Sequence, residues 1–181
     1  MQLNLVTWFL CGLCSANVMT EMIIYDFQAG DRLDSWWVVD DGVMGGRSQG
    51  GLEINAAGHA VFSGYVSLEN NGGFSSVRYR GASFDPAGAE SVVIRLKGDG
   101  KRYQFRVKSN VYDRHSYIGY FQTTGEWQEV VLPLSELYPT FRGRRLRMPN
   151  YPQQRLEEVA FLIANKKAET FRLEIDYIRL K

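Results

Sequence analysis

Ser91-Val92-Val93-Ile94-Arg95-Leu96-Lys97, then Gly98-Asp99-Gly100, then Arg102-Tyr103-Gln104-Phe105-Arg106-Val107-Lys108 is the stretch whose reading decides the fold class. The first seven residues are rich in β-branched and apolar types, and Gly-Asp-Gly is a strong reversal signal. After it, Tyr103, Phe105 and Val107 alternate with Gln104, Arg106 and Lys108, the period of two that a half-buried strand requires. The stretch therefore predicts a β-hairpin. Working outward, similar patterns predict strands at 23–27, 52–55, 60–67, 75–81, 117–123, 126–132, 158–164 and 170–180. Helical periodicity is scarce: Leu134 to Tyr138 and Gln153 to Glu157 have room for a turn or two. Many short strands separated by turns predict an all-β chain, a two-sheet antiparallel β-sandwich or jelly roll, in preference to a parallel α/β sheet. The segment from Pro133 to Gln154, with four prolines, reads as a long connection that is functional or packs across one end of the sandwich.

Composition agrees. The 181 residues fit one domain; 45% hydrophobic and 23% charged residues exclude disordered, collagen-like and coiled-coil chains. Lys and Arg number 21 against 20 Asp and Glu, so a net charge of +1 supplies no global pull toward nucleic acid or anionic membrane. Both cysteines, Cys11 and Cys14, lie in the first fourteen residues, so the body has no thiol and no disulfide framework. Their Cys-Gly-Leu-Cys spacing lacks the second pair or nearby His that a metal or redox site needs. Residues 1–21 read as a leader and 22–181 as a single domain. The apolar run Leu5 to Leu10, ending at Ser15-Ala16, has the length of a signal-peptide core but no basic residue before it. The competing reading is a translation start at Met19 or Met22. A start there implies a cytoplasmic protein; the first reading implies export. No other apolar run approaches the roughly 20 residues of a membrane helix, so no transmembrane segment is expected.

The densest glycine signal is Asp40-Asp41-Gly42-Val43-Met44-Gly45-Gly46-Arg47-Ser48-Gln49-Gly50. Such clustering implies backbone torsions closed to other residues, or close approach by another chain. Met44 is expected either to plug the sandwich end or to contact a partner. Gly46-Arg47-Ser48-Gln49-Gly50 matches a G-x-S-x-G nucleophile elbow, but a strand follows Ser48 where the elbow needs a helix, and only His59 and His115 exist as bases. Glu69-Asn70-Asn71-Gly72-Gly73-Phe74-Ser75-Ser76 reads as a hairpin turn with Phe74 capping the core. Alternation sets Arg78, Arg95 and Arg106 opposite the core positions of their strands, so several arginines are expected on one sheet face. That face is either solvated charge or a curved surface binding anionic or hydroxyl-rich groups through forked hydrogen bonds. Phe141 to Met148 is locally basic beside Tyr138, Phe141 and Tyr151, suiting nucleic acid or an acidic partner. Overall neutrality argues against nucleic acid, and an exposed basic loop is the plainer reading. Phosphate-loop and dinucleotide fingerprints are absent.

Trp37 to Ser48, including Asp-Gly-Val-Met-Gly-Gly, resembles the signature of the complex I intermediate-associated protein 30 family. The likeness continues through Phe62-Ser63-Gly64, Glu69 to Arg78, Lys97 to Gly100, Gly125 to Gln128, Leu132-Pro133 and Phe171 to Asp176, covering nearly all of 22–181 in order. The resemblance implies a galactose-binding-domain-like sandwich similar to carbohydrate-binding modules, and an assembly-factor role without catalysis. Lacking a long Arg-rich presequence, the chain looks more like a stand-alone bacterial member. The expected function is non-catalytic binding of a protein partner, such as a respiratory-complex assembly intermediate, with no catalytic residues. The expected surface joins Asp40, Asp41, Met44, Gly45, Gly46 and Ser48 to Asn70, Asn71, Gly73 and Phe74, and to Arg78, Arg95 and Arg106. The aspartates would accept hydrogen bonds from the partner, and Met44 and Phe74 would anchor it. Sugar binding is the alternative, with Tyr117, Phe121 and Trp127 as stacking candidates; a hydrolase using Ser48 or an Asp pair ranks third. No cofactor is expected, although the implied fold admits a structural calcium, for which Asp26 and Asp176 are the oxygen-ligand candidates.

Overall fold

Strand-forming patterns become thirteen strands among the described residues of the computed structural model, 21–181 without the side chains of Val43 and Met44. The leader reading and the cysteine pair therefore lie outside the described residues. The strands are β1 (Met22–Asp26), β2 (Trp36–Asp40), β3 (Gln49–Ile54), β4 (Ala60–Val66), β5 (Ser75–Tyr79), β6 (Ser91–Lys97) and β7 (Arg102–Lys108). They continue as β8 (Ser116–Gln122), β9 (Trp127–Pro133), β10 (Tyr138–Phe141), β11 (Arg144–Arg145), β12 (Glu158–Ile163) and β13 (Glu169–Leu180). One sheet runs β3-β4-β13-β6-β9, with β1 added on β13; the other runs β11-β10-β8-β7-β12-β5-β2. Every neighbouring pair is antiparallel. The molecule is the two-sheet β-sandwich that the turn-and-strand pattern predicted. No helix of the described residues is long and apolar enough to cross a membrane.

The core lies between the sheets. From one side come Phe62, Ile94, Leu96, Leu173 and Ile175, and from the other Val77, Tyr103, Phe105, Phe161 and Ile163, all buried. Phe161 on β12 packs against Phe105 and Phe121, with ring centroids 5.6 and 6.3 Å apart. At one end Tyr25, Phe27, Trp36 and Tyr79 form a ring cluster, centroids 4.5 to 5.4 Å apart.

Four expectations change. The Ser91–Lys108 stretch is two strands but not a hairpin: β6 pairs with β13 and β9, whereas β7 pairs with β12 and β8. Gly98-Asp99-Gly100 carries the chain from one sheet to the other. Val92, Ile94 and Leu96 thus meet Tyr103, Phe105 and Val107 across the core, which satisfies the same alternation as lying side by side. Asp99 holds the crossing, accepting from the Tyr103 hydroxyl at 3.0 Å and the Arg172 amide at 3.0 Å. The segment between Val66 and Ser75 also passes between sheets, so it is not a hairpin turn either. Finally, Pro133–Gln154 is not a bare connection. It contains a one-turn 3-10 helix at Leu134–Glu136 and then β10 and β11, which edge the seven-stranded sheet. Gln153–Glu157 forms no helix; Leu156 instead bridges Phe84.

Phe161→Ala should lower unfolding free energy by about 3–4 kcal/mol, the usual cost of an emptied aromatic site in a core. Urea denaturation measures it; a loss below about 1 kcal/mol would contradict a core centred on β12.

Candidate functional site

Asp41 is 1% exposed, yet its carboxylate is fully occupied within the chain. It accepts from the Ser48 amide at 3.0 Å, the Ser48 hydroxyl at 2.5 Å, and the Gly73 and Phe74 amides at 2.6 and 3.2 Å. Burial pushes its carboxyl up, but these four donors outweigh burial and hold it below its usual value. Asp40 also accepts at the strand ends, from the Gly50 amide at 2.9 Å and the Ser75 hydroxyl at 2.5 Å. The Asn70 amide donates to the Gly45 carbonyl at 3.0 Å, and Arg47 pairs with Glu69 at 3.1 Å. A Cβ at Gly46 or Gly72 would land on the Asp41 carboxylate, which explains glycine at both places. The two glycine-rich loops are thus brought together as expected, but the close approach is between parts of one chain. The acceptor capacity of Asp41 is used internally, so it is not poised to receive donors from a partner, whereas half-buried Asp40 spends two acceptor sites within the chain. The side chain of Met44 lies outside the described residues, and the plug-or-anchor reading with it.

Ser48 is 6% exposed. Its hydroxyl donates to Asp41 and accepts from the Ser67 amide at 3.0 Å. The 3-10 turn Asp41–Met44 precedes it and β3 follows it, the reverse of a nucleophile elbow. Neither histidine is its partner: His59 stands beside Asp176 and Trp127, and His115 beside Tyr117.

On the outer face of the seven-stranded sheet a groove of about 630 Å³ opens. Strand register lays out its floor. Arg78, Ala160, Arg106, Ile118 and Tyr138 form one row across β5, β12, β7, β8 and β10. Ser76, Leu162, Gln104 and Tyr120 form the next. Phe74 and Gly73 close one end, and the β10–β11 hairpin, with Phe141, Arg142 and Arg145, closes the other. Arg106 donates to Gln104 Oε1 at 2.9 Å, and Gln104 in turn donates to the Tyr120 hydroxyl at 3.2 Å. Burial, then the charge of Arg78, pushes the Arg106 guanidinium down to about 10, so it remains a cation at neutral pH. Glu158, 3% exposed, binds Arg80 Nη2 at 2.5 Å and lies 3.9 Å from Arg78. Lys108 donates to the Asp113 carbonyl at 2.6 Å.

Arg78 and Arg106 therefore share a face, as alternation predicted. Arg95 does not. It stands on β6 in the opposite sheet, 3.2 Å from Asp176 and beside Trp127. The sugar-stacking candidates are also displaced: Tyr117 and Phe121 point into the core, and Trp127 belongs to the other sheet. The outward aromatics are Tyr120, Tyr138 and Phe141. Tyr117-Ile118-Gly119-Tyr120-Phe121 is apolar or aromatic in both phases, so alternation alone could not choose between them; pairing with β7 does. Asp26 and Asp176 lie on paired strands, but Asp176 faces Arg95 and His59, an ion-pair setting that does not fit a calcium cage. Among the described residues no three His, Cys, Asp or Glu side chains gather as metal ligands.

Asp41→Asn should destabilise the protein by roughly 2–3 kcal/mol at neutral pH, since it leaves buried donors facing an amide. Because the folded carboxyl is held low, Asp41 contributes in full above its unfolded pKa of about 3.9 and ceases to as pH falls through its lower folded value. Chemical denaturation over a pH series should show the wild-type advantage shrinking below about pH 4; a gap independent of pH would refute the assignment.

Comparison with known proteins places this geometry. The family model described as complex I intermediate-associated protein 30 matches residues 25–175. A relative named "Complex I intermediate-associated protein 30, mitochondrial" from Drosophila melanogaster is 29% identical over 184 residues, covering 88% of this chain and 62% of its own length. The Mus musculus protein of the same name is 26% identical over 180 residues, covering 86% of this chain and 55% of its own length. The chain thus spans somewhat more than half of these relatives. Among solved structures, the family 11 carbohydrate-binding module of a cellulosomal cellulase of Clostridium thermocellum aligns with TM-score 0.67 at 15% identity, covering 90% of this chain and 94% of that one. The same family's module in complex with a β-1,3-1,4-mixed-linked tetrasaccharide gives TM-score 0.64 at 16% identity, covering 88% and 94%. A family 29 module gives 0.53 at 13%, covering 89% and 87%. These likenesses show the jelly-roll sandwich of such modules. Matched by the family model over most of its length, the chain belongs to the complex I intermediate-associated protein 30 family.

Proposed function

We propose that this chain is a non-catalytic binding domain that holds a protein partner during assembly of a respiratory complex, with the groove on the seven-stranded sheet as its recognition surface. Family membership supports the assembly role. The observation that carries the reading is the groove's make-up: guanidinium groups, aromatic rings and apolar side chains converge there, while Ser48 is committed to Asp41 and Ser67. Such a mixture of arginine and aromatic residues is typical of interface anchors. A translation start at Met19 or Met22 would make the protein cytoplasmic and export through residues 1–16 is the alternative; mass spectrometry of the natural amino terminus distinguishes the two.

Sugar binding is the second reading. It is favoured by the likeness to a module solved with a tetrasaccharide and by Tyr120, Tyr138 and Phe141 on the curved face.

The tagged wild-type protein, expressed in its native host, should co-purify with respiratory complex I subunits identified by mass spectrometry. Tyr138→Ala should reduce that recovery to background, while Arg95→Gln on the other sheet should not. Equal recovery with Tyr138→Ala would remove the groove from the reading, and absence of complex I subunits from the wild-type sample would remove the assembly role. A glycan array at millimolar sugar should stay blank; binding abolished by Tyr138→Ala would install the sugar reading instead.

A further inference from the structure

The chain is almost neutral, yet the groove is not. Six cationic side chains line it, Arg78, Arg106, Lys108, Arg114, Arg142 and Arg145, and no carboxylate does. With 21 basic against 20 acidic residues overall, this is a local concentration of one sign. Little of it is neutralised nearby. Among the described residues, Arg106, Arg114, Arg142 and Arg145 have no carboxylate within salt-bridge distance, and Glu158, on the same outward face of β12 as Ala160, is taken up by Arg80 and, more distantly, Arg78. A guanidinium has five N–H donors. The one hydrogen bond made by the Arg106 side chain among the described residues is that to Gln104, which leaves the others for whatever enters the groove.

The aromatic rings point the same way. Arg102 lies over Tyr120 at 4.6 Å, Arg145 over Tyr138 at 4.6 Å, and Arg114 and Arg142 over Phe141 at 4.8 and 5.5 Å. The three rings Tyr120, Tyr138 and Phe141 are therefore each partnered by a guanidinium. A neutral sugar stacking on these rings would compete with the arginines. A carboxylate gains from them, because the rings hold the forks in place and the forks match its two oxygens. Leu162 on β12 and Phe74 before β5 give apolar surface on one side of Arg106, and Ile118 on β8 gives it on the other. That combination suits a chain bearing acidic and apolar side chains together better than a polyuronide, which is charged throughout.

We propose that the groove binds an acidic, leucine-containing segment of a protein partner, its carboxylates seated on the Arg106 and Arg145 forks and its apolar side chains on the Ile118, Leu162 and Phe74 surfaces to either side of Arg106. This rests on the protein-partner reading above and adds the chemistry of the segment recognised.

Fluorescence anisotropy with a fluorescein-labelled peptide repeating Glu-Leu-Glu-Gly tests it, against the same peptide with Gln in place of Glu. The wild-type protein should bind the Glu peptide at least about tenfold more tightly, and added salt should weaken that binding. Arg106→Gln and Arg145→Gln should each weaken it by about tenfold, and Arg95→Gln should leave it unchanged. Arg145 is exposed on the edge hairpin, so its replacement reads the groove even if Arg106→Gln perturbs folding. Equal binding of the Gln peptide, or unchanged binding by Arg145→Gln, would overturn the proposal. So would binding of labelled polygalacturonate where the Glu peptide fails, which would make the ligand an acidic sugar. If complex I subunits co-purify in a groove-dependent way while the peptide does not bind, the charge class is wrong and the assembly reading stands. If the peptide binds and no such subunit is recovered, the reverse holds.

Discussion

A carboxylate removed from water must find donors nearby, and one end of this sandwich is arranged around that demand at Asp41. Its four donors come from two segments that are distant in sequence, Ser48 on one side and Gly73-Phe74 on the other. Meeting the demand dictates much else. Gly46 and Gly72 have to be bare where they touch the carboxylate, and Ser48 has to be buried with its hydroxyl committed. The segment leading into β5 is thereby pinned against the turn that ends β2, so Arg78 and Phe74 arrive at the groove from a fixed start. The motif densest in glycine is thus an anchoring device for the surface beside it.

The groove itself depends on the antiparallel ladder. Its floor is the outward half of an alternation whose inward half is the core, so each strand supplies one residue to each side. Where the outward residues are arginine and tyrosine, stacking and hydrogen bonding fix their long side chains on the sheet instead of leaving them to sample solvent. Burial first, and then the like charge of Arg78 beside it, lowers the proton affinity of Arg106. An anion entering the groove would relieve that repulsion.

Much of the fold could be read along the chain. The alternation in 102–108, the run in 91–97 and the long terminal strand correspond to β7, β6 and β13 with shifts of a residue at most. Partners were harder. Gly98-Asp99-Gly100 signals reversal, but a reversal within one sheet and one between sheets use the same residue types, and the difference lies in where β12 and β13 have inserted. For the same reason Arg95 was grouped with Arg78 and Arg106: alternation tells which side of its own strand a residue occupies, not which sheet that strand joins. β2 went unrecognised because Trp36 to Asp40 runs directly into the glycine motif, and β10 because Pro139 masks a strand that needs no donor at that position.

The sequence by itself determined an all-β sandwich, the family, and the outward position of Arg78 and Arg106, because all of these rest on local pattern or on residue type. Tertiary structure alone decided that β6 and β7 part to opposite sheets, that Asp40 and Asp41 turn inward, and that Tyr120, Tyr138, Phe141 and six cations share one groove. Those outcomes depend on which distant strands lie side by side, a choice made by the free energy of closing the whole core and not by any segment on its own.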